Sequence, residues 1–126
     1  MSIDQLAETA QAMVAPGKGI IAIDESGATI KKRFDAVGIE NSEDNRRLYR
    51  EVLLTAPNLS DHISRALLYD ETIRQSTRAG VPFTQVMLKA GILPGIKVDK
   101  GPVPLAGASG WRSTRASVRS SPSGAR

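Results

Sequence analysis

Between Gly17 and Arg33 the chain passes from five mostly apolar residues, Gly19-Ile20-Ile21-Ala22-Ile23, into Asp24-Glu25-Ser26 and then into a run with helical spacing. A β-branched run this short, bounded by glycine and acid, reads as a buried strand rather than a helix. In α/β proteins ligands bind at the carboxyl ends of the strands, because the loops leaving parallel strands converge there beside helix N-termini. With a period of two, Ala22 and Asp24 share one face, while Ile21 and Ile23 share the other, where a helix can pack. Asp24 is therefore a candidate reagent at the end of the inner face. The same spacing suits a helix cap made by Asp24 or Ser26, and both readings stay open at this point.

The strand-then-helix theme repeats along the chain. Ser2 and Gln5 form a capping-box pattern for a first helix that carries Ile3, Leu6, Ala10 and Met13 on one face and stops at Pro16-Gly17. Gly17-Lys18-Gly19 does not make a phosphate loop, because that motif follows a strand and places Ser or Thr after its lysine. Ile30, Phe34 and Val37 mark the second helix, ended by Gly38; Lys31, Lys32 and Arg33 surround that face. Thr29 and Arg33 lie near enough to the strand's end to hold a phosphate at the helix N-terminus. A third helix runs from Asn41 or Ser42 through Leu48, Tyr49, Val52 and Leu53, with Glu43, Asp44 and Glu51 as partners for Arg46, Arg47 and Arg50. A second strand is expected at Ala66–Tyr69, followed by Asp70-Glu71 and a helix-compatible run through Arg78. Pro82 opens a further helix with Phe83, Val86 and Met87. A third strand is expected at Gly95–Lys100, with Ile96 and Val98 on one face and Lys97 and Asp99 on the other. A salt-bridged pair on an exposed strand gives the same alternation, but covered strands rarely carry charge without a function, which marks Lys97 as an inner-face functional residue.

Composition removes whole classes of chemistry. The 126 residues are enough for one domain, and they include no cysteine and one histidine, His62. Disulfides, thiolate nucleophiles and a multi-histidine metal site within the chain are excluded, leaving lysine and carboxylates as reagents. His62 follows the Pro57-Asn58 turn region and reads as a surface or capping residue. No apolar run approaches the length of a membrane helix, and the N-terminus lacks the order of a signal peptide, which places the chain in the cytoplasm, away from membranes. The net charge of +4 has one source: residues 1–106 hold 13 Lys and Arg against 13 Asp and Glu, whereas residues 107–126 hold four Arg and no acid. Four arginines with one aromatic, Trp111, are weak support for a nucleic-acid partner.

Five segments together resemble class I fructose-bisphosphate aldolase: PGKGIIAIDES at Pro16–Ser26, KRF at Lys32–Phe34, NRRLYRE at Asn45–Glu51, LLYDETIRQ at Leu67–Gln75 and PGIKVDKGPVPLAG at Pro94–Gly107. The resemblance implies an α/β fold, the N-terminal part of a (β/α)8 TIM barrel. It implies reversible cleavage of fructose 1,6-bisphosphate to dihydroxyacetone phosphate and glyceraldehyde 3-phosphate in glycolysis, through a lysine Schiff base, with no metal and no cofactor. Position by position, Asp24 resembles the family's active-site aspartate, which assists proton transfer, and Lys97 its substrate-contacting lysine on the third strand. Thr29 stands where the family binds a substrate phosphate through a small hydroxyl residue, and Arg33 matches the nearby phosphate-binding arginine. The implied partners are a sugar-phosphate substrate and, for the full-length family, further copies in a homo-oligomer.

The resemblance ends near Gly107. Residues 108–126 are rich in Ser and Arg and have no apolar periodicity, so composition predicts a disordered tail after a partial aldolase barrel at 1–107. A barrel of this type needs eight strands, and the sequence predicts about three, so the barrel is expected to be incomplete. No lysine in residues 1–106 matches the Schiff-base position. The expectation is a fragment of an aldolase that does not cleave by itself, the alternative being a non-catalytic fragment that binds aldolase subunits or, through its arginine-rich tail, a polyanion.

Overall fold

The computed structural model describes residues 2–104 and 112–116. Helix α1 (Ile3–Met13) precedes β1 (Gly19–Ile23), α2 (Gly27–Asp35) and α3 (Glu43–Leu54). A single turn, α4 (Leu59–His62), leads into β2 (Ile63–Leu68), followed by the short α5 (Asp70–Ile73), α6 (Phe83–Lys89) and β3 (Leu93–Ile96). The three strands form one parallel sheet in the order β1-β2-β3. Each covering helix thus lies between strands that are neighbours, as βα units require.

Register places the candidate residues. Ala22 pairs with Leu67, which pairs with Gly95, so these three share a layer on the inner face. One step further toward the carboxyl ends on that face come Asp24, Tyr69 and Lys97. The opposite face is the buried one: Ile23, Ala66, Leu68, Phe83, Met87 and Ile92 form the core, each at most 2% exposed. The alternation in β2 is complete, with Ser64, Ala66 and Leu68 buried and Ile63, Arg65 and Leu67 half-buried. Gly95 has a specific reason to be glycine, since a Cβ there would lie 2.6 Å from Arg65 Nε and 2.7 Å from Leu67 Cδ2. Only a residue without a side chain lets those two side chains cross the inner face.

Helix ends follow the sequence signals. Ser2 and Gln5 complete the capping box of α1, and Ser42 Oγ accepts the Asn45 N–H at the start of α3. Amphipathic spacing was a poorer guide to burial. No residue of α1 is buried, Val37 is exposed, and in α3 Leu48 and Val52 flank an open apolar cleft of about 210 Å³ against Phe34.

Three expected boundaries shift. The second strand begins at Ile63, not Ala66, because the α4 turn delivers the chain directly into the sheet. The helical run expected through Arg78 ends at Ile73. There the chain turns back on itself, with Thr77 N–H donating to Val81 O at 2.8 Å and Ser76 bridging to Pro82. The strand expected at Gly95–Lys100 divides. Lys97 N–H still donates to Leu68 O at 2.9 Å, but β2 ends there because Tyr69 opens α5, so Val98 finds no ladder partner in the sheet. From Asp99 the chain instead forms β4 (Asp99–Pro104), antiparallel to β5 (Arg112–Ala116). The rest of the stretch assigned to the tail, 108–111 and 117–126, lies outside the described residues.

The arginines of α3 also choose different partners. Arg47 takes Asp44 and Glu51 as expected, whereas Arg46 forms a two-bond fork with Glu71 at 2.8 and 2.7 Å, and Arg50 turns inward to β1. The fork holds the Glu71 carboxyl below its usual range, its hydrogen bonds to Arg46 outweighing partial burial. A depressed folded pKa means that this contribution is present above the ordinary glutamate value near 4.5 and is lost as pH falls through the lowered one. Glu71→Gln is expected to cost about 1–2 kcal/mol at pH 7 and to flatten the pH dependence of stability below pH 4.5, measured by urea denaturation. Phe83→Ala, which empties a site that is 0% exposed, is expected to cost about 3–5 kcal/mol by the same measurement.

Candidate active site

The carboxyl ends of β1 and β3 bring Asp24 and Lys97 together. Lys97 Nζ lies 3.6 Å from Asp24 Oδ2 and 3.0 Å from Asp99 Oδ2, and all three side chains are partly open to solvent. Asp99 is itself fixed, because its Oδ1 accepts the Gly101 N–H at 2.9 Å. Gly101 adopts φ +87°, a conformation that favours glycine. The Asp99 bond, more than the field of Asp24, raises the Lys97 pKa, and the same bond with the Gly101 N–H lowers that of Asp99. Lys97 therefore stays an ammonium ion over the whole neutral range.

The β1–α2 turn shows whether a side chain caps the helix. Ser26 is the N-cap residue of α2 by backbone conformation, yet its side chain makes no cap bond; its Oγ lies 3.2 Å from Thr29 Oγ1 instead. Asp24 faces Lys97. Thr29 and Arg33 lie one turn apart on the same side of α2, both exposed, as (i, i+4) neighbours must. Arg33 Nη1 pairs with Glu25 Oε1 and lies 3.2 Å from the Tyr49 hydroxyl. The Asp24–Lys97 pair and the Thr29–Arg33 pair share the carboxyl end of β1, with Glu25 between them in sequence.

The family model of class I fructose-bisphosphate aldolase matches residues 5–117, which runs past Gly107. The chain belongs to the class I fructose-bisphosphate aldolase family. It is 74% identical over 110 residues to a probable class 1 aldolase of Xylella fastidiosa, covering 87% of this chain and 33% of that protein. It is 53% identical over 112 residues to fructose-bisphosphate aldolase 2 of Caenorhabditis elegans, covering 89% and 31%. A solved aldolase of Plasmodium falciparum, in complex with TRAP and a small-molecule inhibitor, superposes with a TM-score of 0.85 at 46% identity over 90% of this chain and 33% of its own. The three-stranded parallel sheet is thus part of a TIM barrel. The chain spans about a third of the length of the curated relatives it matches.

Within this aldolase frame, sequence reasoning missed three participants. Arg50 and Glu25 were legible only as charges on a helix and in a turn, yet Arg50 is 2% exposed and bonds to Ile23 O at 3.0 Å and Glu25 O at 3.2 Å. Tyr49, visible only as a residue of the third helix and of the NRRLYRE segment, brings its hydroxyl to Glu25. Asp99 was visible through its alternation with Lys97. Among the described residues no group of three or more His, Cys, Asp or Glu is arranged to hold a metal ion. Removing the cation by Lys97→Met is expected to return the Asp99 carboxyl upward toward its ordinary range, followed by carbon-detected NMR titration. An unmoved titration would show that Gly101 N–H alone sets it.

Proposed function

We propose that this chain supplies the first three βα units of an aldolase active site for fructose 1,6-bisphosphate. In this reading Thr29 and Arg33 hold one phosphate, and Asp24 and Lys97 face the carbons and hydroxyls of the sugar. The observation that carries it is the Lys97 ammonium set between Asp24 and Asp99 at the open carboxyl end of the sheet.

The charge state divides the chemistry. Schiff-base formation needs a neutral amine to attack the C2 carbonyl, and an amine gains that state by burial or by a neighbouring cation. Lys97 has two carboxylates beside it instead, which favour its protonated form. Its role is to donate hydrogen bonds to substrate oxygens and to pair with Asp24, whose carboxylate is set to accept the C4 hydroxyl proton as the C3–C4 bond breaks and C4 becomes the aldehyde carbon. The Schiff-base lysine then belongs to a strand beyond these three. A place in the cytoplasm fits the relative named as the cytoplasmic isozyme of Cicer arietinum, while relatives from Arabidopsis thaliana and Chlamydomonas reinhardtii are chloroplastic.

The expected result is that the 126-residue chain binds fructose 1,6-bisphosphate but neither releases glyceraldehyde 3-phosphate in a coupled assay nor yields a sugar adduct on borohydride reduction. Cleavage that is lost in Asp24→Ala, or a sugar trapped on Lys97, overturns the division of roles. A second reading, association with a full-length aldolase subunit, is favoured by the edges of β1 and β3, which have no further strand partner among the described residues, and by exposed Ile20, Ile96 and Val98. Co-elution with a purified full-length class I aldolase on size exclusion tests it; separate elution at micromolar concentrations removes it.

A further inference from the structure

Arg33 is held at one edge. Its Nη1 is committed to Glu25 and Tyr49, its side chain is 56% exposed, and among the described residues its Nε and Nη2 have no hydrogen-bond partner. Glu25, in contrast, is 8% exposed at its side chain. Its Oε1 also accepts the Tyr49 hydroxyl at 3.3 Å, and its Oε2 lies 3.1 Å from Arg50 Nη2, near enough for an ion pair though not aligned as a hydrogen bond. Arg50 is locked by the carbonyls of Ile23 and Glu25 and lies 5.1 Å from the centre of the Tyr49 ring. One buried carboxylate therefore faces two guanidinium groups. Arg50 balances its charge, and the charge of Arg33 is left for something else.

We propose that Glu25, fixed by Arg50 and Tyr49, is a positioning residue that holds Arg33 with its free Nε–Nη2 edge presented to a phosphoryl group beside Thr29. This rests on the phosphate reading of Thr29 and Arg33. A guanidinium edge matches two phosphoryl oxygens through parallel hydrogen bonds, but only in one plane and at one height. A solvent-exposed arginine must surrender its rotamer freedom to reach that pose. With Nη1 held by a buried carboxylate and a tyrosine hydroxyl, much of that freedom is already gone before an anion arrives. Thr29, one turn toward the N-terminus, adds a hydroxyl on the same side of α2.

A purely electrostatic role for Glu25 has the opposite sign, which makes the proposal testable. Removing its charge leaves the site more positive and would tighten anion binding, whereas losing the hold on Arg33 weakens it. The 126-residue chain is titrated with inorganic phosphate and with fructose 1,6-bisphosphate, following the Gly27 and Thr29 amides and the Arg33 Nε–H by nitrogen-edited NMR. Glu25→Gln is expected to weaken phosphate binding about fivefold and Tyr49→Phe about twofold, with faster exchange of the Arg33 Nε–H in both. Unchanged or tighter binding by Glu25→Gln overturns the proposal. Should that variant lose its dispersed spectrum, Tyr49→Phe decides, and wild-type affinity with an unmoved Nε–H overturns it. Arg33→Lys keeps the charge and removes the fork. If it binds as well as the wild type, the phosphate-fork reading itself falls; if it binds weakly while Glu25→Gln and Tyr49→Phe do not, only the positioning role falls.

Discussion

A guanidinium taken out of water must be given acceptors, and Arg50 finds its acceptors for Nε and Nη2 at the carboxyl end of β1. Its Nε donates to Ile23 O, one Nη donates to Glu25 O, and the Glu25 carboxylate lies beside it. Burial lowers the Arg50 pKa and the Glu25 charge opposes that shift. Breaking such an arrangement by removing one partner strands a charge in the interior, so the three components stand or fall together. The consequence is geometric. Residues 23–25 are tied to α3, and α3 is anchored in turn through Leu54, which shares the buried core cluster with Ile23 and Phe83.

From that anchor the site spreads in two directions. Toward the sheet, Asp24 points along the inner face to Lys97, whose backbone N–H completes the ladder with Leu68 O. Toward the helices, Glu25 reaches Arg33 and Tyr49, and Tyr49 packs edge-on against Phe34 with ring centroids 5.8 Å apart. Two adjacent acids at one strand end thus serve opposite sides because successive residues of a strand point to opposite faces. That alternation separates a partly solvent-open carboxylate, Asp24, from a buried one, Glu25, that only other residues of the chain meet.

Much of this was legible in the residues. The β1 strand, its two faces and the inner-face placement of Asp24 and of Lys97 follow from period-two reasoning, and the segments at Pro16–Ser26 and Pro94–Gly107 carry the family. Apolar spacing failed at α1 and on the Leu48 and Val52 side of α3, because periodicity shows that a face exists and not that anything covers it. The third strand was misjudged because its length depends on where its neighbour β2 stops, which is decided by the turn at Tyr69 and not by Gly95–Lys100 themselves.

The sequence by itself determined most of the local elements and the order of strand and helix, because propensity, capping and alternation act between near neighbours in the chain. Tertiary structure alone decided which charge meets which: Arg46 with Glu71, Arg50 with Glu25, and Lys97 with both Asp24 and Asp99. The physical reason is that near neighbours on a helix offer an arginine several acceptors of similar worth in water. The choice among them falls to burial, which is set by how α3 docks over the end of β1 and cannot be read from spacing.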